Sequence, residues 1–191
     1  MSNEITVKIK CSVNQLINQL ENENFKIIEK FYLQDKYFIP KGMNTKEHTS
    51  REILSNAILL RNFDEELPRR KQYKMTFKRK QIDKKGNITQ QEKAECEILN
   101  IEDGKKFLNS IGYIEIMEIN EFDLVFEKKG LKIAIKDIEN GDQLLEIETV
   151  KDNIELDTIE KIIQKIEELK IPIDKNNYFV KKAEIELEKI L

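Results

Sequence analysis

The residues that could do chemistry in this chain lie in alternating runs. Glu4, Thr6, Lys8 and Lys10 alternate with Ile5, Val7 and Ile9. Lys74, Thr76, Lys78 and Lys80 form a second stripe, and Lys93, Glu95 and Glu97 a third. Lys132, Ala134 and Lys136 make a fourth, and Glu146 and Glu148 a fifth. Side chains two apart in a strand project from the same face, so each set points one way. The plain reading is a half-buried sheet whose polar side meets water. A sharper reading closes the strands into a barrel with charges inside and helices outside, because the long charges outnumber what solubility requires. Charges in a lumen must be paired or must hold something charged. Lysines and arginines would neutralise phosphate oxygens. Glutamates would hold Mg²⁺ or Mn²⁺, hard cations that prefer oxygen ligands. The chemistry indicated is that of a polyphosphate with a divalent metal.

Other chemistries are thinly represented. His48 is the only histidine, which excludes a His-rich metal site, and its polar surroundings make it a solvated loop residue. Cys96 alternates with Glu95 and Glu97, so a core thiol is expected rather than a nucleophile. No G-x-x-x-x-G-K-[ST] and no G-x-G-x-x-G occurs, so P-loop and Rossmann nucleotide binding are unsupported. Arg69, Arg70, Lys71, Lys74, Lys78, Arg79, Lys80, Lys84 and Lys85 are concentrated in one hairpin and could meet nucleic-acid phosphates. Only Tyr73 and Phe77 interleave them, so this reading ranks below the lining of a tunnel.

The elements that must position these stripes follow from periodicity. The chain has 191 residues with 33 Lys+Arg against 36 Asp+Glu, a net charge of −3, and one domain spanning 1–191 is expected. No run approaches the roughly 18 apolar residues of a membrane span. Two cysteines make no disulfide framework, and Met1 to Lys10 lacks the apolar core of a signal peptide, so a cytoplasmic protein with reduced thiols is the expectation. A strand through Ile5, Val7 and Ile9 precedes a helix capped by Ser12. Residues 25–39 read as extended, 40–55 as a mobile loop, 57–63 as a strand and 64–70 as a charged connection. Two strands at 72–80 and 88–99 flank a turn at 83–87. Asn100 caps a helix over 101–111, followed by a hairpin of 113–127 and 131–138 and a strand at 144–150. Helices are expected at 154–169 and 177–190, the first of them suited to packing on the barrel or to supporting a homodimer. Alternating βα units are absent, so the class is α+β with an antiparallel sheet.

In order, these stripes resemble the CYTH family of class IV adenylate cyclases, thiamine triphosphatases and triphosphate tunnel metalloenzymes. Glu4-Ile5-Thr6-Val7-Lys8 is similar to the family's opening Glu-x-Glu-x-Lys. Asp35-Lys36-Tyr37-Phe38, Leu60-Arg61, Thr76-Phe77-Lys78, Lys93-Ala94-Glu95-Cys96-Glu97, the helix end 108–113 and Glu146-Ile147-Glu148 match later motifs in order, across residues 4–150. The resemblance implies an eight-stranded antiparallel barrel, the triphosphate tunnel, with helices packed outside. It implies Mg²⁺ or Mn²⁺ on Glu4, Glu146 and Glu148, with Glu97 as a helper. It assigns Lys8, Arg61 and Lys78 to catalysis on the phosphates, and Lys10, Lys74, Lys80, Lys93 and Lys136 to substrate binding. The implied substrate is a triphosphate such as ATP or inorganic triphosphate, turned over by a cyclase-like or triphosphatase reaction. The alternative is an impaired barrel that binds a nucleotide or polyphosphate as a sensor. Three departures motivate it: Thr6 replaces the second glutamate, Asn120-Glu121-Phe122-Asp123 replaces a basic pair, and Lys136 stands where the family has an aspartate. Lys136 could return the lost arginine charge from a neighbouring strand, a charge swap.

Overall fold

The computed structural model describes residues 4–82, 88–150 and 153–191, with the backbone alone over 78–82 and 88–91. Eight strands form one sheet: β1 (Glu4–Lys8), β2 (Lys26–Pro40), β3 (Ile58–Leu67), β4 (Arg69–Ile82), β5 (Ile88–Glu97), β6 (Tyr113–Lys128), β7 (Leu131–Ile138) and β8 (Gln143–Glu148). Their order is β1-β8-β7-β6-β2-β3-β4-β5. The pairs β1–β8, β8–β7, β7–β6 and β4–β5 are antiparallel. Five helices accompany them: α1 (Val13–Asn22), α2 (Ser50–Ser55), α3 (Ile101–Ser110), α4 (Ile159–Glu168) and α5 (Lys182–Glu188). The expected α+β class and eight antiparallel strands are therefore present. The order has ends at β1 and β5, and the described pairings include none between them.

The chain divides into two compact units. The first comprises residues 1–31, 65–68 and 121–181. Its core is built by alternation: Ile5 and Val7 of β1, Ile133 and Ile135 of β7, and Leu145 and Ile147 of β8 are all buried. Leu16 and Leu20 of α1 and Ile162 and Ile166 of α4 join them, each helix presenting residues four apart on one face. Full burial of such a side chain contributes about 1.5–3 kcal/mol. The strand residues between the apolar ones must face the other way, and they are the charged stripes.

The second unit comprises residues 32–64, 69–120 and 182–191. Phe38, Leu60, Ile101 and Leu108 form its core, with Ile58, Tyr73, Met75, Ile98 and Tyr113 packed against them. Asn100 caps α3 as expected, its side chain accepting from Asp103 N. Gly104 of α3 lies so close to Leu60 that a Cβ there would sit 3.1 Å from both Leu60 methyl carbons. On α5, Glu184 takes a paired contact from Arg51 of α2, and Glu188 accepts from Ser50 Oγ.

Five expectations need correction. Residues 40–55 are no simple loop: a 3₁₀ turn at Thr45–Glu47 leads into α2, where Thr49 and Glu52 form a capping box and Ile53 and Leu54 are buried. The charged connection 64–70 shrinks to Pro68, because β3 runs to Leu67 and β4 begins at Arg69. The helix expected from 154 begins at Ile159, capped by Thr158. Before it, Val150 N donates to Leu156 O and Leu156 N to Asn153 O, a turn that buries Leu156. The last helix starts at Lys182 rather than 177, because the chain before it is used against β1. Thr6 N donates to Tyr178 O, Val180 N to Thr6 O, Lys10 N to Pro172 O and Asp174 N to Lys8 O. This strap satisfies the outer edge of β1, which would otherwise offer a row of unpaired groups. Finally, Cys96 is exposed rather than buried, because β5 ends the strand order. The turn expected at 83–87 lies outside the described residues. No helix among the described residues is long and apolar enough to cross a membrane.

Candidate functional site

In the first unit the register of β1 on β8 sets Glu4 opposite Glu148 and Thr6 opposite Glu146. The three glutamates converge, with one carboxylate oxygen from each within 4.8 Å of the others. Burial raises the pKa of Glu146, Lys136 opposes that rise, and the charges of Glu4, Glu121 and Glu148 reinforce it. Carboxylates crowded in this way repel one another, and a shared cation relieves the repulsion. The donor set is all oxygen, which suits Mg²⁺ or Mn²⁺. Thr6 is buried beside Glu146 and offers only a neutral hydroxyl.

The same face continues on β7 and β6. Ala134 lies opposite Glu146, and Lys136 lies opposite Asp123. Lys136 Nζ donates to Asp123 Oδ2 at 2.9 Å and stands 3.7 Å from Glu146 Oε2. Asp123 has no exposed surface. Burial works against the charge of Lys136, but Asp123, Glu146 and Glu121 hold its ammonium above its ordinary pKa. The charge swap read from the sequence is thus a buried contact. Lys8 pairs with Asp142, and Lys10 with Asp174 at 3.2 Å.

The second unit carries a cleft of about 220 Å³. Arg61 and Phe63 of β3, Arg70, Lys74 and Thr76 of β4, and Lys93 and Glu95 of β5 line it. Arg61 is fixed from behind: its Nε and Nη2 donate to the two oxygens of fully buried Asp35 at 2.7 and 2.6 Å. Lys182 of α5 stands 3.6 Å from the same carboxylate. Burial alone would raise the pKa of Asp35, but Arg61 and Lys182 hold it below the ordinary value. Lys93 lies 2.7 Å and Lys74 3.4 Å from Glu95, to which Thr76 Oγ1 donates at 3.0 Å. The Lys93 contact, then those of Thr76 and Lys74, pull Glu95 down to about 2 against its desolvation. Arg70 stacks over the Phe63 ring at 5.2 Å. Arginines and lysines in the lining outnumber its one carboxylate, so the cleft suits an anion.

The structure therefore brings Glu4, Glu146 and Glu148 together, sets Lys136 beside them, and gathers Arg61, Lys74 and Lys93 in one cleft. Glu97 lies on β5, where Gln72 Nε2 donates to it at 3.4 Å. The side chains of Lys78 and Lys80 lie outside the described residues. Lys132 is an exposed partner of Glu29 at 3.2 Å, and His48 is half exposed near Glu52. Sequence reasoning missed three contributors. Asp35 carries no role in the sequence reading beyond its place in the Asp35-Lys36-Tyr37-Phe38 motif, and that place is its one signal. Asp123 stands out in the sequence only as a departure from the basic pair, whereas in the structure it seats Lys136. Arg70 belongs by sequence to the basic hairpin 69–85, and in the structure it lines the cleft.

Eight antiparallel strands accompanied by helices, with these charged faces, make a CYTH-type fold. Solved structures with that fold match the chain nearly end to end. One from Pyrococcus horikoshii superposes with a TM-score of 0.65 at 18% identity, covering 99% of both chains. A Hippeastrum protein, described as a "Putative adenylyl cyclase" with a dominant triphosphatase activity, gives 0.61 at 13% identity, covering 100% of this chain and 97% of the other. Among curated proteins, a "Putative adenylate cyclase" of Methanocaldococcus jannaschii is 25% identical over 187 residues, 96% of this chain and 97% of the relative. No family model matches the chain.

Proposed function

We propose that this protein is a divalent-metal-dependent enzyme acting on a triphosphate, inorganic or nucleoside, by a triphosphatase or cyclase-like reaction. The observation that carries the reading is the convergence of Glu4, Glu146 and Glu148 on adjacent strands. These are the positions that the CYTH resemblance assigns to metal. Their oxygens would hold Mg²⁺ or Mn²⁺, which when bound supplies Lewis-acid stabilisation of phosphoryl oxygens. The chain's own part on the phosphates is electrostatic. In the second unit, Arg61, Lys74 and Lys93 line a cleft whose charge suits phosphate oxygens. Asp35 and Glu95 hold those side chains in place, so they need little reorganisation as charge develops on the leaving group. The names of the Hippeastrum and Methanocaldococcus proteins support the same substrate class.

The test is phosphorus NMR of the purified protein with ATP or inorganic triphosphate and Mg²⁺ or Mn²⁺, beside a Glu148→Gln variant. Orthophosphate marks a triphosphatase, and pyrophosphate with cyclic AMP marks a cyclase. The expected result is a metal-dependent product at least about tenfold above the variant, since loss of one metal ligand removes a first-order contribution to the barrier. Products equal in the two proteins would count against the enzyme. A second reading, a nucleotide or polyphosphate sensor, is favoured by Lys136 beside Glu146 and by Thr6, which leave fewer free carboxylate oxygens for metal. Ligand resonances that shift without turnover would select it.

A further inference from the structure

The Asp123–Lys136 contact reverses the charges of the CYTH pattern, and it lies against the proposed metal site. On the sheet face, β6 contributes Glu121 and Asp123, β7 contributes Lys136, and β8 contributes Glu146. Asp123 has no exposed surface, and the Lys136 side chain is only 15% exposed. The ammonium is therefore fixed, 2.9 Å from Asp123 Oδ2 and 3.7 Å from Glu146 Oε2. A divalent ion on Glu4, Glu146 and Glu148 would share Glu146 with this resident cation.

We propose that Lys136 is a positioning residue that sets how tightly the carboxylate trio holds its metal, with Asp123 as the anchor that limits its pull on Glu146. The inference rests on the metal reading given above. Two consequences follow from charge alone. With both Lys136 and Asp123 neutralised, Glu146 loses a competing cation while the net charge of the pair is unchanged. The trio then binds metal more tightly. With Asp123 alone neutralised, Lys136 keeps its charge, and its nearest remaining partner in this cluster is Glu146. The trio then binds metal more weakly. Charge pairs at such separations in a partly buried site alter affinity by a factor of about ten.

The experiment is Mn²⁺ titration followed by electron paramagnetic resonance, with no substrate present. The proteins are wild type, Lys136→Met/Asp123→Asn, Asp123→Asn and Glu148→Gln, with folding of each checked by circular dichroism. The double variant removes both charges of the Asp123–Lys136 pair, so it avoids the uncompensated Asp123 that Lys136→Met alone would leave. The expected result is about tenfold tighter Mn²⁺ binding in the double variant and about tenfold weaker binding in Asp123→Asn. A merely structural pair would move both variants in one direction or leave both at the wild-type affinity, and either result overturns the inference. Wild-type binding that Glu148→Gln leaves intact, or its complete absence, overturns the metal reading and the inference with it. Loss in Glu148→Gln without opposite shifts in the other two overturns the inference alone.

Discussion

Asp35 shows how a single side chain can decide the state of a functional one. Its two oxygens engage Arg61 at 2.7 and 2.6 Å, and no surface of the carboxylate is exposed. Replacing one partner of a buried charge pair leaves the other uncompensated, so Asp35→Asn should lower stability by about 3–5 kcal/mol in urea unfolding. The pH dependence has a definite sign. Arg61 and Lys182 hold the folded pKa below 3.8. The stabilisation is therefore present in full above that ordinary value and is lost as pH falls below it. Urea midpoints measured between neutral pH and about pH 3 should fall less steeply in Asp35→Asn than in the wild type; parallel curves would show that Asp35 carries no such linkage. Some of this scale was legible in the residues: the alternation of Glu4, Lys8, Glu146 and Glu148 with apolar neighbours fixed which way each pointed. What it could not reveal was partnership across the sheet. Lys136 beside Asp123 depends on the β6–β7 register. Arg61 held by Asp35 depends on side chains brought together from β2 and β3.

Among the elements, α2 is the one that the residue pattern hid. Six residues hold fewer than two helical turns, too few for a period of 3.6 to emerge from a polar stretch, 40–55, that opens on Pro40-Lys41-Gly42. The signal was the capping box itself, Thr49 with Glu52 three positions on. Thr49 Oγ1 accepts from Glu52 N, and Glu52 reaches back to Thr49 N at 2.8 Å. Thr49→Ala should destabilise the protein by about 1 kcal/mol in chemical denaturation. An unchanged denaturation midpoint would mean that burial of Ile53 and Leu54 alone holds this helix. The late start of α5 has a different cause. Asn177 to Val180 carry no strong helix stop, and only the unpaired edge of β1 makes an extended strap there the better use of the backbone. Tertiary demand of this kind leaves no local mark. The exposure of Cys96 has a related cause, since alternation identifies two faces but not whether anything covers the second.

For the whole molecule, the class was legible because long alternating runs with few glycines and prolines permit little besides an antiparallel sheet. The strand order was not, since the first strand pairs with the last through hydrogen bonds that no local pattern specifies. The pairing of β1 with β8 is also what brings Glu4 to Glu146 and Glu148. The fold thus converts two weak motifs at opposite ends of residues 4–150 into one candidate metal centre. The most direct test of that claim is anomalous diffraction at the manganese edge from crystals grown with MnCl₂. The account predicts a peak within about 2.6 Å of carboxylate oxygens from Glu4, Glu146 and Glu148. Manganese bound elsewhere, with no peak at these three glutamates, would contradict it.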